Sequence, residues 1–374
     1  MNKNILIPIY LTVLYLTSCI SQENPPEVKT PDQSKYSSVT IVDGIDIPWG
    51  MDFIGENELL VTEKKGKIYR VLNGKKTEVS GLPEVYQRGQ GGLLDIALHP
   101  DFSNNKIVYF TTGVNIEGDE GGNTAIYCAE LNDYTLSNIK MLYKATPNTK
   151  KGQHWGSRIV FDDQGHLFFG IGDRGNRDVN PQDLKRDGGK IYRLNLDGSI
   201  PDDNPFVNEE GAIKAVYSNG HRNPQGMTVH PETGEIWENE HGPKGGDEIN
   251  VIHKGKNYGW PVITYGINYS GTSITAKRAM AGMEQPIYYW VPSIAPSGMA
   301  FSSSKVYKGW KGDLFIGSLK FKYLERLEMK QGKVVKREKI LNDIGRVRNV
   351  KEGPDGYLYI GVEGKGILKV IQQK

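Results

Sequence analysis

The stretch ELLVTEKKGKIYRV, Glu58 to Val71, holds an apolar strand, a turn carrying Gly66 and a second strand whose apolar and polar side chains alternate. The same unit returns five more times. It reads KIVYFTTG from Lys106 with AIYCAEL from Ala125, HLFFGIGDRG from His166 with KIYRLNL from Lys190, and EIWENEHG from Glu235 with EINVI from Glu248. DLFIGSLKFKYLERLEM from Asp313 and YLYIGVEGKGILKVI from Tyr357 complete the series. Units spaced about 45 to 80 residues apart suit propeller blades with insertions, not the tighter and more regular repeat of a solenoid. The series predicts an all-β fold: a six-bladed β-propeller over residues 36–374, closed by pairing of the N-terminal strand around Ser38 to Val42 with the last blade. A β-sandwich with irregular loops is the alternative, disfavoured because the repeat is sixfold. Beyond residue 35 no helical periodicity of useful length interrupts the pattern.

Composition is compatible with one large domain. The 374 residues are 37% hydrophobic and 24% charged, and closed all-β architectures routinely hold more than about 200 residues as a single unit. The formal net charge of +2 arises from 46 basic and 44 acidic residues scattered along the chain. No extended field draws a polyanion, so nucleic acid is not an expected partner. The lysine-rich stretches Lys64 to Lys67 and Lys333 to Lys339 read as solvated strand and turn faces.

Lys3 precedes an apolar run from Ile5 to Leu16 that is too short to span a bilayer comfortably, the pattern of an export signal. It ends in Leu16-Thr17-Ser18-Cys19, which resembles the bacterial lipobox, where the cysteine is lipidated and becomes the first residue. Residues 1–19 are therefore expected to be a lipoprotein signal, with Cys19 the anchor; an ordinary signal peptide with a chance cysteine is the alternative. Residues 20–35, rich in Pro, Glu, Gln and Ser, read as a flexible tether. The expected location is outside the cytoplasm, anchored by lipid and facing the periplasm or cell surface. Only Cys128 remains in the folded part, so no internal disulfide is available there.

In a propeller the inner strands converge on a central channel, and loops at one rim bring residues distant in sequence together. Site residues are therefore expected beside the first strand of several units. Polar segments of unusual composition fall there: GQGGLLDIALHPDF from Gly89, QHWGSRIVF from Gln153, GIGDRG from Gly170 and YSNGHRNPQGM from Tyr217. ENEHGPKGGDEIN from Glu238, NYGWP from Asn257, SLKF from Ser318 and GRVRNV from Gly345 follow. Taken singly, each basic residue here could pair with an acidic neighbour. Were Arg222, Lys320, Arg346 and Arg348 all to face the channel, their mutual repulsion would favour a multiply charged anion between them.

These segments, in this order and over essentially the whole folded part, resemble the pyrroloquinoline-quinone-dependent soluble glucose and aldose sugar dehydrogenases. The HWGSR and IPDDNPF segments are nearer to the broad-specificity aldose sugar branch than to the glucose enzyme, as is Gln153, where the glucose enzyme has aspartate. The resemblance implies that Arg222, Asn223, Lys320, Arg346 and Arg348 hold the polar groups of pyrroloquinoline quinone, with Gln90 touching it from another blade. It implies that His154 is the general base for the sugar's anomeric hydroxyl and that Asp173 orients it, a task suited to imidazole. It further implies calcium at the backbone carbonyls of Gly242 and Pro243, and a second, structural calcium near Asp247 and Glu248 with the backbone at Tyr258. Arg158 also matches, with a strand-pairing or structural role equally open. Trp290, in the aromatic run Tyr288 to Trp290, is a substrate-side candidate, although aromatic strand residues are more often core.

The expected activity is oxidation of aldoses at C1 to lactones, with electrons passed to an external acceptor, by a monomer or homodimer. A non-catalytic quinone- or carbohydrate-binding propeller is the rival reading, and it predicts erosion of the base and the cations. A calcium-dependent lactonase-like propeller would need metal-ligating groups at the channel centre, which the excess of cations disfavours.

Overall fold

The computed structural model describes residues 28–29, 35–115, 120–303 and 305–373. Residues 1–19, Cys19 among them, and most of residues 20–35 lie outside the described residues. The chain forms six antiparallel sheets arranged as a six-bladed β-propeller, and its one helix among the described residues is the single turn Phe102–Asn105. Blade 1 comprises Pro48–Gly55, Glu58–Glu63, Lys67–Leu72 and Lys75–Val79. Blade 2 runs Leu93–Leu98, Ile107–Val114, Asn123–Asn132 and Thr135–Lys144; blade 3 runs Ile159–Phe161, His166–Ile171, Lys190–Asn195 and Val216–Asn219. Blade 4 is Pro224–Val229, Ile236–Glu240, Asp247–Val251 and Tyr288–Trp290. Blade 5 is Pro296–Phe301, Leu314–Ser318, Leu324–Lys330 and Lys333–Leu341. The last strand of blade 5 also pairs in parallel with Val28–Lys29, so this part of the segment expected to be a flexible tether lies in a sheet. Blade 6 takes Val347–Glu352, Leu358–Val362 and Gly366–Gln372 from the end of the chain, and Tyr36–Val42 pairs with the last of these, Tyr36 opposite Gln372.

Each repeat unit read from sequence is the middle hairpin of a blade. Its first strand is mainly apolar in every blade but blade 4 because both faces are buried, one against each neighbouring blade. In blade 1, Leu59 and Val61 pack against blade 6, whereas Leu60 between them packs against blade 2. Phe168 faces blade 4, while Leu167 and Phe169 face blade 2; Phe315 faces blade 6, while Leu314 and Ile316 face blade 4. The core is thus six seams between blades, each buried large side chain contributing about 1.5–3 kcal/mol.

The innermost strands precede the repeat units and look different. Around the channel their equivalent positions are Gly50, Asp95, Arg158, Gly226, Gly298 and Asn349. Glycine is required where strands of adjacent blades close on the axis: a Cβ on Gly50 would lie 2.6 Å from Asp95 Oδ1 and one on Gly298 2.6 Å from Asn349 Cα. The space opposite the glycines is filled by the fully buried Arg158. Its guanidinium pairs with Asp95 Oδ1 (2.8 Å), donates to the Gln225 carbonyl (3.2 Å) and lies 4.2 Å from the ring centre of Trp49. Arg158 therefore ties blade 3 to blades 1, 2 and 4, the structural alternative left open by sequence.

The expected placement of site residues beside the first strand of each unit needs correction, since that strand is the second of its blade. The start of an innermost strand and the end of the second strand are antiparallel neighbours and reach the same rim. The site draws on both kinds of end.

Candidate active site

At that rim a cavity of about 820 Å³ is lined by residues of several blades, among them Trp49 and Lys64 of blade 1, Lys320 of blade 5 and Arg346, Arg348 and Glu363 of blade 6. Gln90, from the connection into blade 2, also lines it, as does Pro243. Trp49, Leu94 and the fully buried Trp155 form an apolar cluster of cavity-lining residues.

His154 stands beside this cavity, in the connection into blade 3. Its N–H donates to Gln90 Oε1 (2.7 Å), and its Nδ1 lies 2.6 Å from Asp173 Oδ1. The loop is forced: His154 has φ of 56° and Ser157 φ of 100°, conformations that cost on the order of 1–3 kcal/mol each and persist only when the surroundings over-determine them. Here they do. Ser157 N–H donates to the Gly170 carbonyl (2.6 Å), the Thr124 hydroxyl to the Trp155 carbonyl (2.9 Å), and a Cβ on Gly172 would come within 2.5 Å of the His154 carbonyl oxygen. Arg174, which sequence reasoning passed over inside GDRG, lies 3.6 Å from the Trp155 ring centre and donates to the carbonyls of Gln153 and Lys151 that precede the histidine.

Asp173 is fully buried at the end of the second strand of blade 3. Oδ1 accepts from His154 and from Gly175 N–H (2.7 Å), and Oδ2 accepts from the Trp260 indole (2.9 Å). Burial by itself would raise its pKa, but the histidine, the charge of Arg222 and the indole N–H outweigh burial and hold the carboxyl below its ordinary value. Burial also pushes the His154 pKa down, partly offset by the bond to Asp173 and reinforced by Arg222. The result is a neutral imidazole whose Nδ1–H donates to a carboxylate, leaving the lone pair on Nε2. Its side chain keeps 14% exposure.

Arg346 and Arg348 share Glu363: Arg346 Nε and Arg348 Nη2 each lie 2.6 Å from a Glu363 oxygen. Two guanidinium groups on one carboxylate leave a positive excess facing the cavity, to which Lys320 adds. Arg222 and Asn223 do not line the cavity; they sit against groups that do. Arg222 Nη1 donates to the carbonyls of His241 (2.7 Å) and Gly242 (2.8 Å), and Asn223 Oδ1 accepts from Gly156 N–H (3.3 Å). Arg222 Nε and Asn223 Nδ2 are buried without a partner among the described residues. His241 lines the cavity, donates Nε2–H to the Pro296 carbonyl (2.6 Å), and is kept neutral by burial, its pKa pushed down to about 3.

Behind Gly242 the second and third strands of blade 4 carry a cluster of acids. Glu240 pairs across the ladder with Glu248, and Glu238 is on the same face of its strand, two residues earlier. Glu238 and Glu240 are buried and Glu248 is half-buried, and His221, Glu238 and Glu240 present ligand atoms within 4.8 Å of one another. A void of about 10 Å³, lined by Glu240, Glu248 and Tyr258 among others, lies beside them. Burial, then the charge of Glu240, drives Glu238 and Glu248 well above the ordinary carboxyl range. Glu238 Oε1 and Asn250 Oδ1 lack partners among the described residues. The donor set suits a hard divalent cation. Asp247 does not belong to it: its oxygens accept from Gly242, Ile294 and Ala295 N–H and from the Ser293 hydroxyl, so it braces the turn that carries Gly242 and Pro243.

The structure corrects one candidate outright. Trp290 is 1% exposed, its indole donates to Glu325 Oε2 (3.1 Å), and it packs in the seam between blades 4 and 5 away from the cavity. An aromatic on an outer strand buried on both faces is core, whatever its neighbours in sequence suggest.

Comparison with known proteins agrees with this geometry. The chain is 42% identical over 327 residues to the aldose sugar dehydrogenase YliI of Escherichia coli strain K12, covering 85% of this chain and 87% of that protein. It superposes on the apo form of the soluble aldose sugar dehydrogenase of Escherichia coli with a TM-score of 0.85 at 38% identity, covering 90% of this chain and all of the other. The PQQ-bound form of aldose sugar dehydrogenase from Streptomyces coelicolor gives a TM-score of 0.74 at 27% identity, covering 94% of this chain and all of the other. The family model for glucose / sorbosone dehydrogenase matches residues 45–369, nearly the whole propeller, and the chain belongs to that family.

Proposed function

We propose that this protein oxidises cyclic aldoses at C1 to lactones, using pyrroloquinoline quinone and calcium, with His154 as the general base. The observation that carries the reading is the His154–Asp173 pair, 2.6 Å apart, beside a cavity whose cations come from different blades. The names of the relatives, aldose sugar dehydrogenases with a PQQ-bound form among them, support the same substrate and cofactor class.

The residues present fit a tricarboxylate quinone. Lys320, Arg346 and Arg348 would meet its carboxylates, Gln90 would donate from blade 2, and the unpartnered Arg222 Nε and Asn223 Nδ2 are buried donors that a ligand could satisfy. When bound, the quinone supplies the acceptor for the hydride of C1. Calcium, held by the carbonyls of Gly242 and Pro243, would supply Lewis acidity; the Gly242 carbonyl also accepts from Arg222, which keeps it fixed. The acidic cluster of Glu238, Glu240 and Glu248, with the backbone of Tyr258, would hold the structural calcium.

The protein's own work is proton transfer and orientation. His154 Nε2 takes the proton of the anomeric hydroxyl as the C1–H bond breaks, so that the carbonyl of the lactone forms. Asp173 fixes the tautomer that leaves Nε2 free and stabilises the imidazolium, while Trp260 and Gly175 hold the carboxylate in place. The apolar cluster of Trp49, Leu94 and Trp155 limits water beneath the reacting groups.

The physiological setting proposed is that of an exported lipoprotein anchored through Cys19, passing electrons to an external acceptor. The direct test of the activity is dye-linked oxidation of an aldose panel by the purified chain, with and without added quinone and calcium. Oxidation that requires both and is lost in His154→Ala is the expected result; quinone binding without turnover of any aldose overturns the proposal.

A further inference from the structure

Lys64 reads from sequence as part of a solvated basic turn, yet it lines the cavity. Its neighbours behave as surface lysines do: Lys65 pairs with Asp46 (2.9 Å) at 63% side-chain exposure, and Lys67 pairs with Glu78 (2.7 Å). Lys64 is half-buried, and its ammonium has no hydrogen-bond or ion-pair partner among the described residues. The nearest carboxylate it feels is Glu363, already engaged by both Arg346 and Arg348.

Its backbone is held from two directions. Lys64 N–H donates to the Ile47 carbonyl (3.1 Å), and its carbonyl accepts from Leu93 N–H (3.0 Å), so the residue is fastened between the starts of the innermost strands of blades 1 and 2. Gly92 makes this approach possible, since a Cβ there would lie 2.2 Å from the Lys64 carbonyl oxygen. A cation so fixed, partly stripped of water and facing Arg348, is unfavourable in the empty protein; burial and then the charge of Arg348 lower its pKa. An anion in the cavity reverses that penalty.

We propose that Lys64 is a ligand-binding residue of the site, supplying from blade 1 a cation for a carboxylate of the bound quinone, beside the cations of blade 6. The inference rests on the quinone reading above and extends it by one residue that the resemblance does not assign. With Glu363 neutralising one of its two arginines, the cavity offers Lys64, Lys320 and one net arginine charge, a match to three carboxylates before the exposed Lys244 is considered.

The test is direct titration of the full-length chain with pyrroloquinoline quinone at fixed calcium, followed by the absorbance of the quinone and independent of turnover. Lys64→Gln and Lys64→Met are compared with wild type, with Lys64→Arg as rescue and Lys65→Gln as a control for loss of a nearby charge. Expected are a Kd raised tenfold or more in both uncharged variants, recovery to within threefold in Lys64→Arg, and little change in Lys65→Gln. Added salt should weaken binding less in the uncharged variants than in wild type, because one screened charge pair is gone. A Kd in Lys64→Gln and Lys64→Met within twofold of wild type, or a loss equalled by Lys65→Gln, overturns the role of Lys64 and leaves the quinone reading standing. Failure of the wild-type chain to bind the quinone at all overturns both.

Discussion

Replacing Asp173 by asparagine keeps the shape of the side chain and removes its charge, and the structure shows why the change is not conservative. Oδ1 accepts from His154 Nδ1–H and Gly175 N–H, and Oδ2 accepts from the Trp260 indole, so all three neighbours are donors. An amide has one acceptor oxygen. If that oxygen takes the Trp260 side, its NH2 group faces His154 and Gly175, drives the imidazole to the tautomer with hydrogen on Nε2 and abolishes the base. If it faces His154, the NH2 group opposes the Trp260 indole. Either arrangement leaves a buried donor opposed or unmet, which costs about 1–3 kcal/mol of stability. Loss of the base and of imidazolium stabilisation should lower kcat by roughly 10²–10⁴. Asp173 does not line the cavity, so KM should change by only a few-fold. The assay is steady-state dye-linked aldose oxidation at saturating quinone and calcium, beside thermal unfolding of both proteins. A variant that binds quinone normally and retains kcat within about threefold of wild type would refute the assignment of His154 and Asp173 as a working pair.

The pH dependence follows from the same pair. Burial lowers the His154 pKa below its ordinary 6.5, so kcat/KM should fall on the acid side with a limb below that value and be flat through neutrality; a limb above 7 contradicts a neutral buried base. In metal-free protein Glu238 and Glu248 bind protons above the ordinary value of 4.5, so the native state holds more protons than the unfolded one between that value and their raised ones. Stability without calcium should therefore fall as pH rises through that window, and the melting-temperature gain from calcium should grow with pH and shrink in Glu248→Gln. Calcium at about 100 times its Kd would add about 2.7 kcal/mol; an equal gain at all pH values, or one kept in the variant, removes the cation from this cluster. Cys19→Ser should shift the protein from the membrane fraction to the soluble exported fraction, and unchanged fractionation rules out a lipid anchor at that residue.

How much of this was legible beforehand differs by layer. The middle hairpins of the blades announced themselves because Leu59 to Val61 or Phe168 to Phe169 are buried on both faces and so form unbroken apolar runs. The innermost strands did not, because the axis demands glycines such as Gly50 and Gly298 and polar plugs such as Arg158, and Ile159–Phe161 is three residues long. His154, Asp173, Gln90 and the cations of blades 5 and 6 were readable as motifs. Glu363 and Lys64 were not, since a charged residue at a hairpin end looks the same whether it faces solvent or a cavity. Glu248 was named through the resemblance, and Glu240 could have been suspected from its strand alternation, but their meeting across the ladder depends on register. Trp290 misled because aromatic character alone does not distinguish a seam from a site.

Arg346, Arg348 and Glu363 all come from blade 6, and that blade is shared with Tyr36–Val42, which precedes blade 1 in sequence. Blades 1 to 5 can fold while synthesis continues, but this charged wall of the cavity is made after all of them. A nascent or truncated chain therefore has the base, His154, long before it has the full set of cations. Competence to load an anionic ligand would for that reason depend on blade 6: blades 1 to 5 alone would hold His154 without the arginines that face it across the rim.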